Sequence, residues 1–384
     1  MKRLYLLSIV LLLTTSSPVV HAMDEGKYAF PEEKAEKADY KAEFNAFMKA
    51  TTEAEQLTIL SSIPVAGRTD FANRQDSNGR TALFYAQSGK VVTEILRDIP
   101  EDEKPAFVKI QDAFGATALF YAKSGDVVTA ILSELTKAEQ ADVVKMRGRM
   151  DRTALFTAQS RGVVAAILHP IPEDEKAAFV MMQDGFGKTA LFDAGSGEVV
   201  DAILSAIPED KRAAFVNIQD SEDHTALFDA GSGGVVDAIL NAIPEDKRAA
   251  FVNIRDKKGE TALFSLMTLD DIYNTAVGTH FKKGVIVHLL TLPGIDINAR
   301  DIRGRTARQI NSGFFDECAK AANKIIAEKN AARRVASIGS LVAQGMVRDV
   351  AILTAQYDEQ PLIEMPQEGA APAASAAVAT VEED

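Results

Sequence analysis

The chain has 384 residues, 47% of them apolar, a formal net charge of −13 and no tryptophan. The apolar content can fill a continuous core, and the acidic balance argues against general binding to nucleic acid. A single cysteine, Cys318, excludes an intramolecular disulfide and a cysteine-rich zinc site.

The chain opens with Lys2-Arg3, an apolar run from Tyr5 to Leu13 and a break at Ser16-Ser17-Pro18. Val20-His21-Ala22 then offers small residues at both positions that signal peptidases read. This is the pattern of an export signal cleaved after Ala22, so residues 1–22 are expected to stand outside the fold. The apolar run is well short of the roughly 20 residues needed to cross a bilayer. No later run is long enough either, so the mature chain is expected to carry no transmembrane anchor and to be periplasmic or secreted.

Residues 23–74 read as an N-terminal helical cap that contains a degenerate repeat unit, 39–74. Ile59-Leu60 stands 36 residues before Ile95-Leu96, and Ile63-Pro64 stands 36 before Ile99-Pro100. Five full units follow, 75–110, 111–146, 147–182, 183–218 and 219–254. The last two are identical at 30 of 36 positions. A fixed period of this size specifies a stacked array, and the modified first unit would shield its end layer.

Thr-Ala-Leu-Phe recurs at Thr81, Thr117, Thr153, Thr189, Thr225 and Thr261. In the first five units Val-Val-x-x-Ile-Leu follows, as in Val199-Val200-Asp201-Ala202-Ile203-Leu204. Apolar residues at this spacing share one helical face. The Ser-Gly link between the two runs predicts a pair of antiparallel helices, with Thr as the N-cap of the first. Pro208-Glu209-Asp210 predicts a third short helix with Pro at its first position and acids in its first turn. Phe215, Val216 and Ile218 would face inward. Between units the chain reads Gln-Asp-x-x-Gly-x-Thr, where Gly supplies the positive φ of a turn.

Asp-x-x-Gly-x-Thr-Ala-Leu-Phe-x-Ala, as in Asp184 to Ala194, resembles the ankyrin repeat core Asp-x-x-Gly-x-Thr-Pro-Leu-His-x-Ala. The sixth unit strengthens the resemblance. It opens with Asp256-Lys257-Lys258-Gly259-Glu260-Thr261 and closes with Leu292 to Asp301, which is similar to the family's finger loop. Asp301-Ile302-Arg303-Gly304-Arg305-Thr306-Ala307 opens a seventh, capping unit. The resemblance covers 75–312 and, more weakly, 39–74. It implies an all-α, ankyrin-like solenoid of stacked helix-turn-helix repeats with helical caps. It also implies binding of partner proteins through turn tips and a concave helix face. The departures are consistent: Ala stands for Pro and Phe for His, so hydrogen bonding by that His is absent. The first link is shorter than the family's and the tail after the second helix longer, which points to an extra short helix per unit. Another α-solenoid with three short helices per repeat is the alternative.

The sixth unit carries an insertion within 269–284, with Asp270, Asp271, Tyr273, His280, Lys282 and Lys283, read either as a functional loop or as a solvated excursion. Two amphipathic helices, from Phe314 to about Lys329 and from about Arg333 to Gln356, are expected to form a C-terminal cap over 313–360 through Phe314, Phe315, Ile325, Ile326, Ile338, Leu341, Val350 and Leu353. Residues 361–384 are acidic and rich in small residues, a composition expected to be disordered.

No residues stand out as catalytic, cofactor-binding or metal-ligating. His169, His224, His280 and His288 read as lacking partners at metal-ligand spacing. Asp193-Ala194-Gly195-Ser196-Gly197 resembles a nucleophile turn but recurs in the next unit, as a helix link would. The expectation is a non-catalytic scaffold for an unknown partner protein. Its first candidate surface is the row of turn tips Asn78, Phe114, Met150, Phe186, Glu222 and Lys258. Phe114, Met150 and Phe186 form an apolar stripe there, unless they fold back on a neighbouring turn. The second is the track Tyr85, Tyr121, Thr157, Asp193, Asp229 and Ser265, read either as a graded binding surface or as a solvated helix face. Its carboxylates suggest a partner with a basic segment. An envelope-associated structural role, or an enzyme with a site in 269–284 and the C-terminal helices, are the alternatives.

Overall fold

The computed structural model describes residues 39–268, 276–343 and 363. The export signal, most of the lead-in, Asp270, Asp271, Tyr273, Val350, Leu353 and nearly all of the acidic tail lie outside the described residues. Among the described residues the chain is helical and has no strand.

The packed unit starts at Glu43. Three helices lead into it: α1 (Lys41–Lys49), α2 (Glu53–Ser62) and α3 (Val65–Ala72). Phe44 and Phe47 of α1 meet Phe71 of α3 edge-on. A capping box between Thr52 and Glu55 opens α2. Gln56 of α2 is fully buried. Its amide donates to the Tyr85 carbonyl at 2.7 Å and accepts from the Gln87 N–H at 2.9 Å. The leading unit is thereby tied to the backbone of the next.

The Val-Val-x-x-Ile-Leu runs form α4 (Gly89–Leu96), α6 (Gly125–Ser133), α8 (Arg161–Leu168), α10 (Gly197–Ser205) and α12 (Gly233–Asn241). Ser88, Ser160, Ser196 and Ser232 cap four of them through the side chain. The Val, Ile and Leu of the motif are buried in every unit, and each helix packs on its counterpart one unit further on. Glycine sets the spacing of these layers. A Cβ on Gly125 or Gly197 would lie 2.5 Å from the carbonyl oxygen of Gly162 or Gly234, and one on Gly89 would lie 2.7 Å from that of Asp126. The third unit has Arg161 at this position.

The first run departs from expectation. It forms a single 3-10 turn, at Ala82–Tyr85, Ala118–Tyr121, Ala154–Thr157, Ala190–Asp193 and Ala226–Asp229, and not a first α-helix. The reason is length. Ser196 caps α10 only a few residues after Thr189, so one turn and a reversal fill the space. The Phe192 N–H donates to the Thr189 carbonyl at 3.1 Å, and no Thr side chain caps these turns. The hydroxyls of Thr81, Thr117, Thr153 and Thr225 are buried with no hydrogen-bond partner. In the sixth unit the insertion lifts the length limit. The same run there becomes α14 (Ala262–Thr268), and the Phe264 N–H donates to the Thr261 hydroxyl at 3.3 Å.

Third helices follow: α5 (Lys104–Val108), α7 (Lys137–Val144), α9 (Glu173–Val180), α11 (Glu209–Val216) and α13 (Glu245–Val252). Pro172, Pro208 and Pro244 occupy the N-cap and not the first helical position. Phe215 and Val216 are buried, whereas Ile218 is only half-buried. Arg212 of α11 donates to the Leu204 and Ile207 carbonyls at 3.0 and 3.1 Å. One carbonyl belongs to the last turn of α10 and the other to the link after it, so the guanidinium ties the pair of helices together.

The sixth unit's second helix, α15 (Ala276–Leu290), begins inside the span read as an insertion, so only part of that span is a link. His280 and Lys282 lie on α15, and Lys283 pairs with Glu317. After α16 (Ala307–Ile310) the two expected C-terminal helices are one through its described length, α17 (Ser312–Ala343). Asn330-Ala331-Ala332 contains nothing to break a helix. Phe315, Cys318 and Ile326 are buried, while Phe314 and Ile325 are half-buried. Burial pushes the Cys318 thiol up to about 11.

Helix propensity favours Ala over Gly, but the close approach at Gly197 opposes it. Gly197→Ala is expected to lower stability by about 1–3 kcal/mol, as small-to-large changes in packed sites do. Gly231→Ala, where a Cβ would meet nothing within 4 Å, is expected to be neutral or stabilising. Urea unfolding of the two variants separates the steric contact at Gly197 from the entropy that any glycine adds to the unfolded chain.

Candidate functional site

Each inter-unit turn except the third unit's is built on one aspartate. In the fourth unit the Asp184 N–H donates to the Lys188 carbonyl at 2.8 Å. Its Oδ1 accepts from the Phe186 and Lys188 N–H groups at 2.9 and 3.0 Å. Gly187 closes the turn at φ +81°, which only glycine adopts freely. Asp76, Asp112, Asp220, Asp256 and Asp301 hold their turns by the same pair of amides. The third unit reverses the pattern, with Gly148 first and Asp151 last. Met150 and Asp151 then adopt φ +61° and +63°.

The turns are joined edge to edge. The N–H groups of Ala113, Arg149, Gly185, Ser221, Lys257 and Ile302 donate to the carbonyls of Asn78, Phe114, Met150, Phe186, Glu222 and Lys258, at 2.7 to 3.1 Å. These acceptors are the tip residues read from the sequence, so the structure brings the whole row together. Phe114, Met150 and Phe186 do not fold back: they are 42%, 42% and 49% exposed. The Arg149 guanidinium lies 5.9 Å from the Phe114 ring centroid.

The second track is placed differently. The Tyr85 hydroxyl donates to Asp76 at 2.6 Å and the Tyr121 hydroxyl to Asp112 at 2.7 Å. Arg80 donates to both Asp112 and Tyr121 of the next unit, at 3.1 and 2.8 Å. Arg152 reaches Asp184 and Asp193 at 3.0 and 3.1 Å. Lys188 reaches Asp229 at 2.6 Å. His224 lies between Asp220 and Asp256, at 3.4 and 3.2 Å, and stacks on Phe228. The track is therefore engaged in a ladder between units. Asp193 and Asp229 each face a cation of their own chain. Thr157 is exposed and its hydroxyl donates to the Phe120 carbonyl at 2.8 Å. The cations Arg80, Arg152 and Lys188 went unread in the sequence, and His224 was read only against metal-ligand spacing. His224 does have an acid four residues away, Asp220, contrary to the sequence reading. Comparison of units carries a signal for the ladder: where Ala116 replaces the cation, Gly148 replaces the aspartate it would meet.

Burial raises the Asp112 pKa, but the Tyr121 hydroxyl, two backbone amides and Arg80 outweigh it, and the net shift is downward. Tyr121 is pushed up to about 12 by burial and by Asp112. Burial also raises Asp193, against Arg152 and Lys188. Elsewhere, Thr129, Ser133, Lys137, Gln140 and His169 line an open groove of 560 Å³ beside α6, α7 and α8. Among the described residues no three metal-ligating side chains converge, and no helix is long and apolar enough to cross a membrane.

No family model and no curated protein matches this chain. The functional reading rests on the residues themselves.

The folded-state pKa of Asp112 lies below its unfolded value of 3.8. Its stabilising contribution is then complete above that value and is lost as pH falls through the folded pKa. Denaturant unfolding between pH 2.5 and 7 is expected to show stability falling below about pH 4. Asp112→Asn should lower stability at pH 7 by about 1–3 kcal/mol and flatten that acid limb.

Proposed function

We propose that the chain is an exported, non-catalytic scaffold of the ankyrin type that docks a partner protein on its turn edge. The observation that carries this reading is the exposed row Phe114, Met150 and Phe186, held in line by hydrogen bonds between successive turns. Apolar side chains on a rigid, registered edge lose little conformational freedom on binding, and each contributes on the order of 1.5–3 kcal/mol if a partner buries it fully. Met150 adds a second argument. A non-glycine residue held at positive φ costs about 1–3 kcal/mol, and here it occupies the middle of the apolar row. The ankyrin resemblance of the Asp-x-x-Gly-x-Thr turns supports the same surface, because turn tips bind partners in that family. Tyr85, Tyr121, Asp193 and Asp229 belong to the support of this surface more than to the surface itself. The N-terminal segment, basic then apolar then small, supports export.

The test is a cross-linking pull-down from extracts of the producing cell and of any host cell. A Phe114→Asp, Met150→Asp, Phe186→Asp variant runs alongside, its helical content checked by circular dichroism. A protein captured by the parent and lost with the variant is the expected result. Equal capture by both would move the site away from the tips, and no capture would remove the scaffold reading. Export predicts that N-terminal sequencing of protein recovered outside the cytoplasm begins at Met23. A start at Met1 would overturn cleavage.

A further inference from the structure

We propose that the turn edge takes an extended acidic segment of a partner protein. The segment would set apolar side chains on the Phe114, Met150 and Phe186 half and carboxylates on the Lys258 and Arg303 half. This deepens the scaffold reading above and depends on it.

Exposed charge is unevenly divided in this molecule. Exposed acids gather where the third helices begin, as at Glu173-Asp174-Glu175, Glu209-Asp210 and Glu245-Asp246. Exposed cations also stand there, at Lys211 and Lys247, but they gather beyond the far end of those helices, on the turns: Arg149, Lys257, Lys258, Arg300 and Arg303. The aspartates at the heads of these turns do not cancel them, because their carboxylates are committed to turn amides and to the ladder; the third unit's exposed Asp151 pairs with Arg147. An acidic chain thus presents a basic edge. The division is sharpest in the sixth and seventh units. There Lys257-Lys258 and Ile302-Arg303 sit side by side through the Ile302 N–H to Lys258 carbonyl bond of 2.9 Å, and Ile302 is 76% exposed. Glu222 and Asp223 of the fifth unit separate this cationic half from the apolar half.

The backbone narrows the mode of recognition. Every tip carbonyl from Asn78 to Lys258 already accepts an N–H from the next turn. The edge therefore offers no open ladder for an added strand, and side chains must carry the affinity. Layers of packed helices lie roughly 10 Å apart and an extended chain rises about 3.3 Å per residue. About one partner side chain in three would meet a tip. A segment running from Phe114 to Arg303 crosses five layer steps, or about 15 residues. Nucleic acid fits less well. It carries a phosphate at every nucleotide and needs cations interleaved with its stacking platforms. Here the aromatic and cationic halves lie in different units, with Arg149 the exception.

Fluorescence anisotropy with labelled synthetic peptides tests this on the full chain. One peptide carries Leu at every third position in one half and Glu at every third in the other, and it is made in both chain directions. A second carries Lys in place of Glu. A single-stranded oligonucleotide of similar length is the third probe. In one direction the Glu peptide is expected to bind about tenfold or more tightly than the Lys peptide, with affinity falling as salt rises. Lys258→Glu with Arg303→Glu should erase that preference while helical content stays unchanged. Phe114→Asp with Phe186→Asp should weaken both peptides. Equal or tighter binding of the Lys peptide, no binding of either peptide, or a preference that survives the charge reversal would each overturn the inference. Tighter binding of the oligonucleotide would assign the edge to nucleic acid instead. If the acidic preference fails while tip-dependent capture in the pull-down persists, the partner's chemistry is wrong but the scaffold reading stands. Failure of both removes the scaffold reading itself.

Discussion

One aspartate at the head of each turn, missing only from the third unit, organises the described array. The aspartate at the head of each turn divides its oxygens between two tasks. In Asp184 one oxygen accepts two amides of its own turn, and the other accepts Arg152 of the preceding unit. Local geometry and the register between neighbours therefore hang on the same side chain. Removing one partner from such a part-buried ionic contact typically costs about 1–3 kcal/mol, because the other group loses its hydrogen bonds. That is enough to move several residues of turn at once. It explains why the array keeps the aspartate where the tip residues vary freely.

This arrangement sorts variable residues into two kinds. Those in the single 3-10 turn, such as Tyr121 and Asp193, point at the carboxylates and at the cations of the preceding unit. Their variation follows the rung they complete: Tyr with Arg in the second unit, Asp with Arg or Lys in the fourth and fifth. Those at the tip have their backbone fixed on both sides and their side chains released to solvent. Only the second kind varies without an internal partner to satisfy, so it is the kind that can record selection by an outside molecule.

Much of the architecture was legible in the sequence, because the strongest signals repeat. The Val-Val-x-x-Ile-Leu runs gave the second helices, the Pro-Glu-Asp starts gave the third, and the turn glycines gave the positive φ. The first helix was misread because its apolar residues fit a helical face whether one turn forms or three. The short distance to the Ser cap decides against a longer helix, and α14 in the sixth unit, where that limit is lifted, makes the point. The C-terminal helices were split at Asn330-Ala331-Ala332, yet α17 runs through these residues and buries Asn330. The exposed tips could be located from the sequence. The engagement of Tyr121, Asp193 and Asp229 with Arg80, Arg152 and Lys188 could not be seen within one unit, because each of these rungs joins residues of successive units. Ala116 and Gly148, changed together, were the available clue.

The joints between units are not equivalent. Between the second and third units the ladder has no rung, since Ala116 faces Gly148, but the helices meet at backbone distance through Gly125 and Gly162. Between the third and fourth, Arg152 makes two rungs, while Arg161 replaces the spacing glycine and α8 packs less extensively on α10 than on α6. A layered body pinned along one margin swings open along the other. The first of these joints is pinned at its helices and the second at its ladder, so the two pivot about opposite margins. A force that pries the ladder side apart finds its give at Gly148, and one that pries the helix side apart finds it at Arg161. Among the joints of the five full units, bending in either sense is thus concentrated on the two boundaries of the third, the one that holds Met150.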